Sequence, residues 1–255
     1  MTYHFKKAII RKPCKNIIYG LSSKKIQPNY NKLLSEHDFY TKTLKNLNLE
    51  IIKLKELENF PDSVFVEDPA LIYKSTCIIL NPKDNSRNLE SFIIKNEIKK
   101  YFNDLLYIEN GFVEGGDVLN INNHFIIGIS TRTNAVGAQS LKTLLEKMGA
   151  SVKICETPKN ILHFKSECSI VDDDTILVSK KMSEIEYLKS NFKLIELPEG
   201  EEGAANSLRI NDKLLIPDGY KKAEEILSKK YNIIKIKTDE IKKVDAGLSC
   251  MSLRW

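Results

Sequence analysis

The sequence predicts an α/β fold, a closed five-bladed propeller of repeated ββαβ units with pseudo-fivefold symmetry. Three observations carry this expectation. A hairpin followed by an amphipathic helix and a further strand recurs four times along the chain. Two fragments left over at the ends supply the parts of a fifth unit. The spacing, roughly 50 residues per unit, fits five such repeats in 255 residues.

The first complete unit reads FVEDPALIY, a Lys-Ser turn, TCIIL, the helix-like LESFIIKNEIKKYF and LLYIE. The second reads GDVLNI, Asn-Asn, HFIIGI, NAVGAQSLKTLLEKMG and VKICE. The third runs CSIV, three aspartates, TILVS, SEIEYLKS and FKLIEL, and the fourth NSLRI, Asn-Asp, KLLIP, YKKAEEILSKKY and NIIKIK. Short Asn/Asp turns between β-rich runs are hairpin signals. Leu141, Leu144, Leu145 and Met148 show the helical i, i+3, i+4 spacing. At the front stand AIIRK, a helix-like stretch from Tyr30 to Leu47, and EIIKL; at the end stands the lone strand CMSLRW. Joined, they make a unit whose hairpin pairs the two chain ends, which removes the open sheet edges that invite aggregation. The stretch from Cys14 to Asn29 reads as a long loop over a compact body, the usual place for a lid. Residues 1–255 are thus expected to form one domain.

Composition narrows the class of function. Charged residues at 29% and apolar residues at 42% are ordinary for a soluble globular chain. No apolar run reaches membrane-spanning length, and the N-terminus lacks the apolar core of a signal peptide, so a cytoplasmic protein without membrane association is expected. The net charge of +5 comes from lysine pairs scattered along the chain, without the aromatic and basic ladder of a nucleic-acid surface, so no nucleic-acid partner is expected. Five cysteines, an odd number without a CxxC pair, argue against a disulfide framework or a zinc site and leave room for a single reactive thiol.

Cys250, in GLSCMSLRW, is the candidate thiol; by itself it reads equally as a small buried hydrophobe. His163, in NILHFKSEC, lies between one strand end and the next strand, where a histidine can give a proton and take one back near neutral pH; taken alone, it is as easily a surface loop residue. Asp62, Glu67 and Asp68 in PDSVFVEDPA, and Glu114 and Asp117 around two glycines in VEGGDVL, put carboxylates at strand ends that should be buried. That arrangement is costly unless they meet a cation, and a guanidinium offers five donors in a planar fork. Turn capping explains Asp62 and Asp117 well and the Glu67–Asp68 pair poorly. Arg87 and Arg132 follow loops in a chain poor in arginine, and two such forks could anchor a carboxylate, although surface arginines look the same in sequence.

Together, PDSVFVEDPA, NPKDNSR, VEGGDVL, IGISTRTNAVGA, LHFKSECSI and KVDAGLSCMSL resemble, in that order, the dimethylarginine dimethylaminohydrolases among the guanidino-group-modifying enzymes of the pentein superfamily. The resemblance runs from about Phe60 to the C-terminus and implies the same five-unit propeller, here as one catalytic domain. It implies Cys250 as nucleophile, His163 as general acid and base, and Glu114 as the group orienting the histidine. It further implies that Glu67 and Asp68 hold the guanidinium nitrogens, and that Asp62 binds the α-ammonium with the backbone carbonyls of Leu21 and Val244. Arg87 and Arg132 would take the α-carboxylate, and Asp245 would lie close to the cysteine. The implied reaction is hydrolysis of N-ω-methylated arginine to citrulline and a methylamine through a covalent thiouronium, with no cofactor and no metal. A small arginine derivative is the expected partner, and a homodimer is left open. The chain departs from the family's pattern in its acidic loop LPEGEEGAAN and in its N-terminal lid, which matches only at Leu21. Arginine deiminase and amidinotransferase chemistry on the same fold are rivals, although both families are longer. A non-catalytic ribosome-binding propeller is the alternative from another class.

Overall fold

Five three-stranded sheets make up the computed structural model, which describes residues 3–255. With strands numbered in chain order, blade 1 contains β15 (Leu253–Arg254), β1 (Lys7–Arg11) and β2 (Glu50–Leu54). Blade 2 contains β3 (Ala70–Tyr73), β4 (Thr76–Ile79) and β5 (Asp104–Tyr107), and blade 3 β6 (Val118–Ile121), β7 (His124–Ile129) and β8 (Ser151–Glu156). Blade 4 contains β9 (Cys168–Ile170), β10 (Thr175–Val178) and β11 (Lys193–Glu196), and blade 5 β12 (Leu208–Ile210), β13 (Lys213–Pro217) and β14 (Asn232–Ile236). In every blade the first two strands are antiparallel and the third joins in parallel. The antiparallel pair needs only a short turn, whereas the parallel strand needs a crossover, supplied by a helix. Asn122 and Asn123 turn the blade 3 hairpin with φ of 48° and 69°, the left-handed region that asparagine tolerates.

Blade 1 is built from both ends of the chain, as the repeat predicted. Ala8 pairs with Arg254 and Ile9 with Leu253, antiparallel, while Ala8 pairs with Ile51 in parallel. The helix between, α1 (Tyr30–Asn46), starts where the Asn29 side chain accepts the Lys32 N–H.

The core lies between blades. Ile9 and Ile52 of blade 1 pack with Cys77 and Ile79 of blade 2, and Ile78 of blade 2 with Val118 and Phe125 of blade 3. Ile126 packs with Ile176, Leu177 with Leu214, and Leu215 with Ala8 and Ile10, which returns the packing to blade 1 and closes the ring. Each blade therefore buries both faces against its neighbours.

Two local expectations change. FVEDPALIY is not a strand from its first residue: β3 begins at Ala70, and the preceding residues form tight turns, with Phe65 N–H on Asp62 O and Asp68 N–H on Phe65 O. Pro69 lacks the N–H a ladder needs, and the buried Arg87 captures the carbonyls of Asp62 and Phe65. The helix expected over SEIEYLKS divides into α2 (Lys180–Ser183) and α3 (Glu186–Asn191), because Ile185 between them is extended.

Candidate active site

Loops from several blades converge on one small cavity. Cys250, His163 and Glu114 line it, together with Asp62, Asp68, Arg87, Arg132, Leu21, Val244 and Asp245. Of the residues singled out in the sequence, only Glu67 among the proposed substrate contacts falls outside it.

Cys250 sits in a short 3-10 turn, Ser249–Met251, just before β15. Asn206 secures that turn. Its Oδ1 accepts the Ser249 N–H at 3.2 Å, and its Nδ2 donates to Lys165 O at 2.8 Å, two residues beyond the histidine. A Cβ on Gly247 would lie 2.3 Å from Asn206 Oδ1, so glycine is required for the close approach. All five cysteines are free and buried, and Cys250 alone lines this cavity. Burial pushes its thiol up to about 12, and the nearby carboxylates of Asp68 and Glu67 push the same way.

His163 opens the turn between β8 and β9. Ser166 Oγ accepts its backbone N–H at 3.2 Å, and Asp117 Oδ1 accepts the next N–H, of Phe164, at 2.7 Å. Its Nε2 is 2.7 Å from Glu114 Oε2. Burial alone lowers the imidazole, but the hydrogen bond to Glu114 and the charges of Asp117 and Asp68 outweigh it and raise the group to about 9. Glu114 shifts the opposite way: burial favours its neutral form, and the bond and charge of His163 more than offset that. The pair is therefore an imidazolium and a carboxylate at neutral pH. The glycines after Glu114 explain the motif: a Cβ on Gly115 would meet Glu67 O at 2.0 Å and one on Gly116 would meet His163 Cγ at 2.8 Å.

Arg87 is buried among carboxylates. Its Nε and NH2 reach Glu90 Oε2 at 3.1 and 2.7 Å, NH1 reaches Asp68 Oδ2 at 2.6 Å, and NH2 also reaches the carbonyls of Asp62 and Phe65 at 3.3 Å. Burial works against its charge, but Glu90, Asp68 and Asp62 raise its pKa well above normal. Of the five guanidinium N–H groups, one on NH1 is left for anything else. The other fork is freer: Arg132 NH1 lies 3.5 Å from Glu114 Oε1. Asp68 Oδ1 is buried without a hydrogen-bond partner in the cavity wall.

Glu67 lies apart from this cavity's lining. Its Oε1 is clasped by Lys165 at 2.7 Å and Arg254 at 3.0 Å, and it lines a separate cavity with both. Two cations hold that oxygen, while Oε2 is buried without a hydrogen-bond partner, and the charge still raises the Cys250 thiol. The sequence reading also missed Asn206, Lys165 and Arg254. Asn206 stood in the loop noted only for its acidity, and nothing in an isolated asparagine announces that its amide spans two loops.

The loop after β1 closes over the cavity. Leu21 N–H donates to both oxygens of Asp62, at 3.1 and 3.2 Å. Ser23 donates through N–H and Oγ to Asp245, at 2.5 and 2.9 Å, and Ser22 Oγ to Lys243 O at 2.5 Å. Asp62 is thus met by the backbone N–H of Leu21, where the sequence reading had anticipated only that residue's carbonyl. Asp245 holds its position through a left-handed backbone, φ 54°.

One group of residues could hold a metal: ligand atoms of Asp68, Glu114 and His163 lie within 4.8 Å of one another. Arg87 already occupies one Asp68 oxygen, and His163 Nε2 faces Glu114, an arrangement that fits a proton-carrying pair better than a coordination shell. Among the described residues, no helix is long and apolar enough to cross a membrane.

Residues 55–242 match the family model described as arginine deiminase. The chain is 37% identical to an N(G),N(G)-dimethylarginine dimethylaminohydrolase of Pseudomonas aeruginosa, over 98% of this chain and 100% of the relative. It is 28% identical to one of Streptomyces coelicolor, over 98% and 96%. The crystal structure of the Pseudomonas aeruginosa enzyme in complex with citrulline superposes with a TM-score of 0.95 at 35% identity, covering 99% of this chain and 100% of that one. The N-terminal domain of ArgZ, a cyanobacterial arginine dihydrolase, shares the fold at 14% identity with a TM-score of 0.83, covering 97% of this chain and 96% of that one. By sequence and by fold, the chain belongs to the dimethylarginine dimethylaminohydrolase family.

Proposed function

We propose that the protein hydrolyses N-ω-methylated arginine to citrulline and a methylamine, with Cys250 as nucleophile. The observation that carries this reading is the single cavity in which a thiol and an imidazolium–carboxylate pair face a carboxylate oxygen with no partner, Asp68 Oδ1. A guanidinium supplies the cation that oxygen lacks, and its charge beside Cys250 favours the thiolate that burial alone suppresses. The deprotonated sulfur attacks the guanidinium carbon and forms an S–C bond. His163, protonated in the free enzyme, gives its proton to the departing nitrogen as the C–N bond breaks. Water then loses a proton to His163 and attacks the thiouronium, the C–S bond breaks, and citrulline leaves.

The remaining residues divide the substrate between them. Asp62 takes the α-ammonium, with backbone groups of Leu21 and Val244 at the same end. Arg132 offers its fork to the α-carboxylate, while Arg87 has one N–H to contribute and mainly holds the Asp62–Asp68 turns in place. Asp245 anchors the lid through Ser23. Glu67 touches no substrate in this reading. The cytoplasm, with its free amino acids, is the compartment in which we place the enzyme.

The test is citrulline and amine release from asymmetric dimethylarginine, monomethylarginine and arginine, with wild type and Cys250→Ser. Methylamines and citrulline from the wild type alone support the reading. Ammonia from arginine alone identifies a deiminase using the same residues.

A further inference from the structure

A second cleft meets the cavity at the reacting atoms. Leu162, His163, Asp245, Ala246 and Cys250 line both spaces. The first contains the groups that recognise the amino-acid half of a substrate, Asp62, Asp68, Arg87 and Arg132, beneath the loop after β1. The second is the roomier of the two, and none of those four lines it. Its walls are Ile161, Pro217, Tyr220, Gly203 and Glu202, the last two from the acidic loop that the family pattern does not explain. His163 protonates the leaving nitrogen, so that nitrogen lies against the imidazole, and whatever it carries projects away from the amino-acid chain, past the ring. Past the ring is the wider cleft.

We propose that this cleft is a leaving-group subsite, and that the enzyme accepts N-ω-monoalkylarginines with substituents longer than methyl. The inference rests on the hydrolase reading above. The bonds made and broken are those of the methylarginine reaction, with an alkylamine as the product that takes the His163 proton. The freed amine becomes an alkylammonium in water and leaves through this cleft, whose lining carries both lysines and carboxylates. Water reaches the thiouronium by the same route, because the amine vacates the space beside His163 that the nucleophilic water must fill. The amino-acid end stays enclosed throughout, so the alkyl group can vary while the free ammonium and carboxylate cannot.

The experiment compares kcat/KM for N-ω-methyl- and N-ω-butyl-L-arginine, reading citrulline and the amine. In a closed pocket fitted to methyl, each extra methylene is worth about tenfold or more, so three would abolish turnover. The expected result is a butyl value within roughly tenfold of the methyl value. In Glu202→Trp, which fills the cleft from its wall, the butyl-to-methyl ratio should fall about tenfold. In Glu199→Trp, in the same loop but outside the cleft, the ratio should not change. Rejection of the butyl substrate by a wild type that turns over the methyl one overturns the proposal. So does a ratio unmoved by Glu202→Trp in protein with wild-type circular dichroism. Failure on both substrates, methyl included, refutes the hydrolase reading itself and removes this inference with it.

Discussion

Their surroundings push the Cys250 thiol toward its neutral form and the His163 imidazole toward its charged form. With the thiol pushed up to about 12 and the imidazole up to about 9, the free enzyme at pH 7 carries a neutral thiol and a charged histidine. Binding of an unreactive guanidinium ligand should therefore raise the ultraviolet thiolate absorbance at fixed pH, and should not do so in Cys250→Ser. The same pair makes stability depend on pH. The folded-state pKa of His163 lies above its ordinary 6.5, so its contribution is complete below 6.5 and disappears as pH rises through about 9. Glu114 is shifted down, so its contribution is present above its ordinary 4.5 and is lost as pH falls. Thermal midpoints should decline between pH 6.5 and 9 in the wild type and decline less in Glu114→Gln. Gly116→Ala tests the spacing. Its Cβ would press on His163 Cγ at 2.8 Å, and a displacement near 1 Å at a catalytic group lowers kcat by about 100-fold, with circular dichroism unchanged.

At the scale of the element, the site is a set of turns cross-braced by side chains. Asn206 joins the nucleophile turn to the residues after His163, and Asp117 fixes Phe164 N–H while accepting Ser130 Oγ at 2.7 Å. Asn206→Ala leaves the buried Ser249 N–H and the Lys165 carbonyl without partners. The loss should be about 1–3 kcal/mol, measured as a lower urea midpoint. Sequence reasoning located these turns and not the direction in which each side chain leaves them. Glu67 and Asp68 are adjacent in sequence and alike in chemistry, and each keeps one buried oxygen without a hydrogen-bond partner, yet Asp68 lines the cavity while Glu67 Oε1 meets Lys165 and Arg254 in a separate space. A turn between two such residues sends them to different spaces, and spacing does not report the direction of a turn.

The whole molecule depends on closure. The last strand pairs with the first, Trp255 O accepts the N–H groups of Lys6 and Lys7 at 2.9 Å, and the Trp255 ring packs 5.1 Å from that of Phe102 in blade 2. Deleting Leu253–Trp255 removes the strand that follows the nucleophile and bares the edge of β1, so the truncated chain should aggregate, read by size-exclusion chromatography and circular dichroism. The sequence by itself determined the repeat and the joining of its two ends, because strand alternation, helical spacing and turn residues are local signals, whereas Cys250, His163 and Glu114 stood out as a set only through the family resemblance. The tertiary structure alone decided which carboxylates remain free, how much of Arg87 is already occupied, and that a wider cleft opens beside His163. Some of those partners come from far along the chain, as Asn206 and Ser249 do at a separation of 43, while those of Arg87 lie 3 to 25 residues away on turns whose direction spacing does not report, and burial then amplifies every unmatched charge.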